Sequence, residues 1–283
     1  MLDKMLNIRG TLTSLATPLV MGILNITPDS FYAGSRKQTE TAIEDRIREI
    51  LSEGGDWIDI GGYSSRPDAA EVTPEEEMRR LEFALHILNK HYPDIPVSVD
   101  TFRAGIARRC VEEYGAAIIN DISGGELDAD MFQTVADLKV PYIMMHMQGT
   151  PQTMQNRPDY EDLLGEIETY LRRREEALLT KGVKPAQICW DAGFGFGKTF
   201  EHNFSILKHT ERFVASGRPY LMGLSRKTSI GTATSQADPS KRIVSSVAGA
   251  LLAAGRGAQI VRVHDVRETR EAFDVWQALQ AAR

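Results

Sequence analysis

At 283 residues with 42% apolar content, the chain can furnish a large core and slightly exceeds the usual length of a (β/α) barrel. Its formal net charge of −6 has the wrong sign for a nucleic-acid surface, and no apolar stretch approaches the length of a membrane span. The N-terminal segment lacks a secretory signal pattern. With Cys110 in a helix-like stretch and Cys189 in a strand, buried thiols in a reducing cytoplasm are expected, not a disulfide framework.

Residues 1–18 carry Gly10 between two short apolar patches, which predicts a small hairpin covering the bottom of a barrel. Eight apolar runs come next, each closing on polar residues and each succeeded by a helix-like stretch. They are LVMGILN ending at Asn25, DWIDIGG reaching Ser65, PVSVD ending at Asp100, AIIND carrying Asn120, PYIMMH ending at His146, QICWD ending at Asp191, PYLMGLS ending at Ser225 and QIVRVH ending at His264. Such near-continuous runs mark parallel strands buried on both faces. Eight alternating with helices predict a (β/α)8 TIM barrel, one domain over residues 1–283 with 1–18 as an extension, and chemistry on the rim formed by the strand ends.

The helix boundaries are also readable. Thr41 with Glu44 reads as a capping box, with Gly54-Gly55 stopping that helix. Thr73-Pro74 with Glu76 starts the next, where Met78, Leu81, Leu85 and Leu88 form one apolar stripe. The longest helical candidate runs from Pro158 to Gly182, and its Arg172–Glu176 charge run reads as a solvated face with i,i+4 pairing. The last helix starts near Val266 and carries Phe273 and Trp276 against the barrel.

Residues two apart in a strand share a face. Counting back from the strand ends gives one inward set: Asn25, Asp100, Asn120, Asp191, Lys227, Arg262 and His264. Asp59 and Asp121 fall outside it and are read as structural, bonding nearby loop amides. Asp100, Asn120, Asp191 and Lys227 offer directional donors and acceptors suited to a flat heterocycle with an amide-amidine edge. Arg262 and His264, with Asn25 nearby, read as an anion corner. The glycines of DAGFGFGK (191–198) permit tight turns and close ligand approach, without the spacing of a dinucleotide fingerprint. On that loop Phe194 and Phe196 are expected to stack on a planar substrate. GLSRK (223–227) matches no Walker sequence.

MGILNITPDSF (21–31), GGYSSRP (61–67), SVDT (98–101), IINDI (118–122), MHMQG (145–149), DAGFGFGK, GLSRK and VRVHD resemble the dihydropteroate synthases of the pterin-binding family, at every strand end. The resemblance implies condensation of 6-hydroxymethyl-7,8-dihydropterin diphosphate with 4-aminobenzoate, with Mg²⁺, sulfonamide sensitivity and commonly a homodimer. Carried over, Asp100, Asn120, Met145, Asp191 and Lys227 match the pterin pocket, lined by Ile122 and Gly223. Asn25, Arg262 and His264 match the diphosphate and Mg²⁺ end, with Asn25 as the metal ligand. Phe31, Ser65, Arg66, Pro67, Phe196, Ser225 and Lys227 match the loops around the aminobenzoate. The chain departs from the family pattern at Tyr63, at Ala192 and at Tyr32-Ala33, the last removing a loop carboxylate. A corrinoid-linked methyltransferase and a catalytically silent pterin binder share the pocket and stand as alternatives. Arg262 with His264, and Ser65-Arg66-Pro67, argue against the methyltransferase.

Overall fold

The apolar runs become strands wherever both faces can be covered. In the computed structural model, residues 4–26, 36–64, 71–154 and 158–282 are described. Strands β1 (Met5–Ile8) and β2 (Thr11–Ser14) form the antiparallel hairpin expected at the N-terminus. Its turn places Arg9 at φ 50° and Gly10 at φ 84°, two positive-φ positions whose twist suits a two-residue hairpin.

The eight runs form β3 (Leu19–Asn25), β4 (Trp57–Gly61), β5 (Val97–Asp100), β6 (Ile118–Asp121), β7 (Tyr142–Met145), β8 (Ile188–Asp191), β9 (Tyr220–Met222) and β10 (Ile260–Val263). They close into a parallel barrel in the order β10-β3-β4-β5-β6-β7-β8-β9. Around it lie α1 (Arg36–Ser52), α2 (Pro74–His91), α3 (Ala104–Glu112), α4 (Met131–Leu138), α5 (Leu163–Thr180), α6 (Phe200–Lys208), α7 (Thr210–Val214), α8 (Thr228–Ala233), α9 (Ile243–Gly255) and α10 (Val266–Ala281).

The core is layered. Leu6, Ile8 and Leu15 plug the bottom against Met21, Trp57, Ile118, Ile143, Cys189, Leu221 and Ile260, so the hairpin closes the end away from the strand termini. Burying Leu6 and Ile8 contributes roughly 1.5–3 kcal/mol each. Two larger clusters fill the space between barrel and helices. A small fourth cluster, Ile122, Met145, Met147, Met154 and Phe196, lies beside the rim. Both cysteines are buried and free.

Helix α2 begins as expected: the Thr73 hydroxyl accepts the Glu76 N–H at 3.3 Å, and Met78, Leu81, Leu85 and Leu88 are buried. Helix α10 starts at Val266 and buries Phe273. Two readings need correction. Helix α1 begins at Arg36, so Thr41 and Glu44 lie within it and form no capping box; Glu44 pairs with Arg48 at 3.0 Å. The same residue spacing serves an i,i+4 ion pair inside a helix. In the 172–176 run, Arg172 pairs with Glu168 at 2.6 Å as a solvated face should. However, Arg174 donates to the Gly124 carbonyl at 2.8 Å, and Glu175 accepts from Trp190 Nε1 at 2.8 Å and from Arg218, so these two residues tie α5 to the barrel.

Candidate active site

The C-terminal strand ends gather most of the predicted set. Asp100 and Asp191 close β5 and β8, Asn120 is the last residue but one of β6, and Arg262 lies on β10. Arg262 donates through Nε to Asp59 at 2.5 Å and through Nη2 to Asp100 at 3.0 Å. Expected at an anion corner, its guanidinium is instead turned onto two carboxylates. Burial works against that charge, but Asp59 and Asp100 outweigh it and hold the Arg262 pKa above its ordinary value.

Asp59 therefore corrects the sequence reading. It is fully buried, and its Oδ2 accepts from the Arg262 and Asn120 side chains, not from loop amides. Strand register explains the difference: Asp59 sits opposite Ile23 of β3 and Ser98 of β5, and these share faces with Asn25 and Asp100. Asp121 behaves as expected, accepting from the Ser123 amide at 2.7 Å and the Gly125 amide at 3.0 Å, and also from the Tyr142 hydroxyl.

Asp191 is buried, and its Oδ1 accepts the Gly193 N–H at 2.7 Å. Burial raises its pKa, with Lys227 and the Gly193 amide opposing the rise. Lys227 donates to the Phe194 carbonyl, and its Nζ stands 4.4 Å from the centroid of the Phe196 ring, a cation–π distance. Burial lowers Lys227 to about 8, with Asp191 opposing. Phe196 lies at the rim beside Ile122 and Met145, as a stacking surface requires. Phe194 does not: only 1% exposed, it packs in the main outer cluster near Phe204. Successive loop aromatics separated by glycine point to different layers, and burial claims the first.

Beneath this loop lies a pair that the sequence did not disclose. Lys198 is buried and shares its Nζ among His146 Nδ1 at 3.0 Å, the His146 carbonyl at 3.3 Å and the Phe196 carbonyl at 2.8 Å. Burial drives Lys198 down to about 7, and burial plus the Lys198 charge drives His146 to about 2. The two residues are 52 apart in sequence, so only the fold joins them.

The turn after β9 is fixed by three buried polar residues. Arg226, at φ 57°, donates its N–H to Ser246 Oγ at 2.8 Å, gives its carbonyl to Arg242 and pairs with Asp265. That clamp sets the directions of Ser225 and Lys227. The Ser225 hydroxyl, expected near the aminobenzoate, accepts the His264 N–H at 3.1 Å and shares a hydrogen bond with His264 Nδ1 at 3.0 Å. Gly223 is half-buried, with Arg262 Cβ 3.8 Å from where a Cβ would stand. Asn25 is exposed at the end of β3; its Oδ1 and an Asp100 oxygen lie 3.9 and 3.8 Å from the point where Gly61 would carry a Cβ. Phe31, Ser65, Arg66 and Pro67, like Tyr32 and Ala33, lie outside the described residues.

A parallel barrel with acids, an amide, a lysine and a histidine converging on one rim defines a barrel enzyme acting on a small polar molecule. Residues 21–264 match the family described as pterin binding enzyme. Dihydropteroate synthase of Neisseria meningitidis serogroup B is 41% identical over 94% of this chain and 94% of its own. A Xanthomonas albilineans dihydropteroate synthase with 4-aminobenzoic acid superposes with TM-score 0.92 at 40% identity, covering 99% of this chain and all of that one. A Yersinia pestis dihydropteroate synthase with a sulfonamide drug superposes with TM-score 0.90 at 37% identity, again covering 99% and 100%. The chain belongs to the pterin-binding enzyme family, among the dihydropteroate synthases.

Proposed function

We propose that this chain condenses 6-hydroxymethyl-7,8-dihydropterin diphosphate with 4-aminobenzoate to give 7,8-dihydropteroate and diphosphate in folate biosynthesis. One observation carries the reading: Asp100, Asn120, Asp191 and Lys227 converge on one rim beside the apolar Ile122–Met145–Phe196 patch. Directional polar groups beside a flat apolar surface suit a heterocycle that hydrogen-bonds at its edge and stacks on its face.

In this reading the pterin edge meets Asp191 and Asn120, Lys227 donates to the ring carbonyl, and Gly223 leaves the wall open. Phe31, Ser65, Arg66, Pro67, Phe196 and Ser225 surround the aminobenzoate. The C–O bond to diphosphate breaks, leaving a methylene cation conjugated with the electron-rich dihydropterin. Asp100 and Asp191, on rigid strand ends, stabilise that spread charge. The neutral arylamine attacks, the C–N bond forms, and its extra proton is lost to solvent. No residue is assigned as an obligate base, so positioning and electrostatics supply the rate.

His264, held by Ser225, lies at the diphosphate end with Asn25. Asn25 Oδ1 and an Asp100 oxygen face the same point above Gly61, at 3.9 and 3.8 Å, hard oxygen donors that would fit Mg²⁺ shared with substrate phosphates. No group of three or more His, Cys, Asp or Glu able to hold an ion occurs among the described residues. When bound, Mg²⁺ supplies charge neutralisation on the leaving group.

A homodimer and a cytoplasmic location belong to the same proposal. Val244 and Leu252 on α9, and Val275 and Leu279 on α10, are 83%, 50%, 71% and 68% exposed on helices that pack together, a face suited to self-association. No helix among the described residues is long and apolar enough to cross a membrane. Diphosphate release that requires both 4-aminobenzoate and the pterin diphosphate tests the function, and a sulfonamide should compete with the former. Pterin binding without such release would favour the silent binder.

A further inference from the structure

Asp59 lies on β4 one layer below the rim, and a single one of its oxygens joins three strands. Its Oδ2 accepts Arg262 Nε from β10 at 2.5 Å and Asn120 Nδ2 from β6 at 3.3 Å. In the barrel order, β10 and β6 each lie two strands from β4, so these contacts cross the interior instead of following the sheet. Asp59 is fully buried, and its Oδ1 and the neighbouring Ser98 Oγ accept no hydrogen bond from the described residues. A buried carboxylate needs its cation, so Arg262 cannot swing away without stranding Asp59. With Nε committed to Asp59 and Nη2 to Asp100, the guanidinium plane is fixed at two points. The Asn120 amide is oriented by the same oxygen: donating Nδ2–H downward turns its carbonyl oxygen away from Asp59 as an acceptor.

We propose that Asp59 is a positioning residue for the pterin half of the site, presetting Arg262 and Asn120 from beneath without touching substrate. This rests on the reading that the pocket takes a pterin. Asp59 also changes what Arg262 brings. With Nε on Asp59 and Nη2 on Asp100, its guanidinium is engaged within the protein and not left free for the departing anion.

The test is Asp59→Asn in the full chain, with 6-hydroxymethyl-7,8-dihydropterin as the calorimetric probe. The variant keeps the shape and an oxygen able to accept both bonds, but loses the charge that holds the Arg262 guanidinium. Pterin affinity should fall by about tenfold or more, while KM for 4-aminobenzoate stays within about twofold. In an Arg262→Gln background the same substitution should cost clearly less than in wild type, because only the Asn120 contact is left to lose. Ser98→Ala, at the same depth with no bond to lose, should bind as wild type does. A folded Asp59→Asn protein with wild-type pterin affinity overturns the proposal, as does a full loss repeated in the Arg262→Gln background. Should Asp59→Asn fail to fold, proton exchange at Arg262 Nε in the wild-type protein decides. Slow exchange without ligand supports the contact, and exchange at the rate of an exposed arginine overturns it. Wild-type protein that binds no pterin defeats the proposed function, yet leaves the Nε measurement able to judge Asp59.

Discussion

Asp100 accepts an Arg262 N–H at 3.0 Å, yet its carboxyl is raised to about 7. Withdrawal from water raises it most, Arg262 opposes, and the Asp59, Glu77 and Asp121 carboxylates push it further up. Burial outweighs the one guanidinium that Asp100 shares with Asp59.

This makes the reaction pH-dependent. Ionised Asp100 prevails above about 7 and protonated Lys227 below about 8, so kcat/KM for the pterin diphosphate should peak between these values and fall on both sides. Removing the opposing cation with Arg262→Gln should carry the acid limb to higher pH. The stability term runs the other way. Because the native pKa is raised, the Asp100 contribution is fully present below the unfolded value of about 4 and lost as pH rises through the native one. A pH–rate profile flat from about pH 6 to about pH 9 would remove both groups from the rate-determining chemistry.

Two glycines give opposite expectations. Gly193 has φ +71°, and a Cβ there would stand 1.9 Å from the His146 carbonyl oxygen, a backbone atom that cannot simply rotate aside. Gly193→Ala should lose at least ~3 kcal/mol of stability and displace the Phe196 loop, visible as a lowered Tm and lost turnover. At Gly223 the nearest atom would be 3.8 Å away, ordinary contact. Gly223→Ala should therefore melt within ~0.5 kcal/mol of wild type. Its methyl should nevertheless weaken pterin binding, because it would take space on the pocket side that the ligand needs. Unchanged calorimetric affinity would take Gly223 out of the pocket wall.

The barrel was legible because each of its strands is covered on both faces, so all eight apolar runs reappear as strands within a few residues. The rim was legible where parity within one strand sufficed, as for Asp100, Asn120 and Asp191. Asp59 was missed because its face depends on register between strands, which no single run reveals. Lys198 with His146, and Arg226 with Asp265, were missed because partners 52 and 39 residues apart meet only in the folded chain. Phe194 and Phe196 are alike in sequence, and only packing separates a core ring from a rim ring.

Asp191 should tolerate little change. Its Oδ1 already holds the Gly193 amide at 2.7 Å, so Asp191→Asn would replace one acceptor with a donor facing either that amide or the pterin edge. Charge-assisted bonds of this kind are worth ~1.5–3 kcal/mol, so pterin affinity should drop at least ~10-fold. Calorimetry on a variant with native circular dichroism checks this, and wild-type affinity would remove Asp191 from the pocket.

Tyr63 binds three loops together at the barrel mouth. Its ring meets Phe102 edge-on at 5.1 Å, Arg103 lies 5.6 Å over it, and its hydroxyl accepts from Gln152 at 3.1 Å. Arg103 is itself fixed by buried Glu77, which also accepts the Thr101 hydroxyl at 2.7 Å, so Tyr63 rests on a rigid base. One residue later begins the Ser64–Pro67 segment expected around the aminobenzoate. Tyr63→Phe removes only the Gln152 bond, a partly exposed neutral contact worth up to ~1 kcal/mol, and should leave both KM values within about threefold. Tyr63→Ala also removes the ring contacts, at ~0.5–1 kcal/mol each. It should raise KM for 4-aminobenzoate by about 5–10-fold while KM for the pterin diphosphate stays within about twofold. Equal rises for both substrates would mean that Tyr63 supports the barrel mouth as a whole, and the link between its ring and the aminobenzoate loop would be lost.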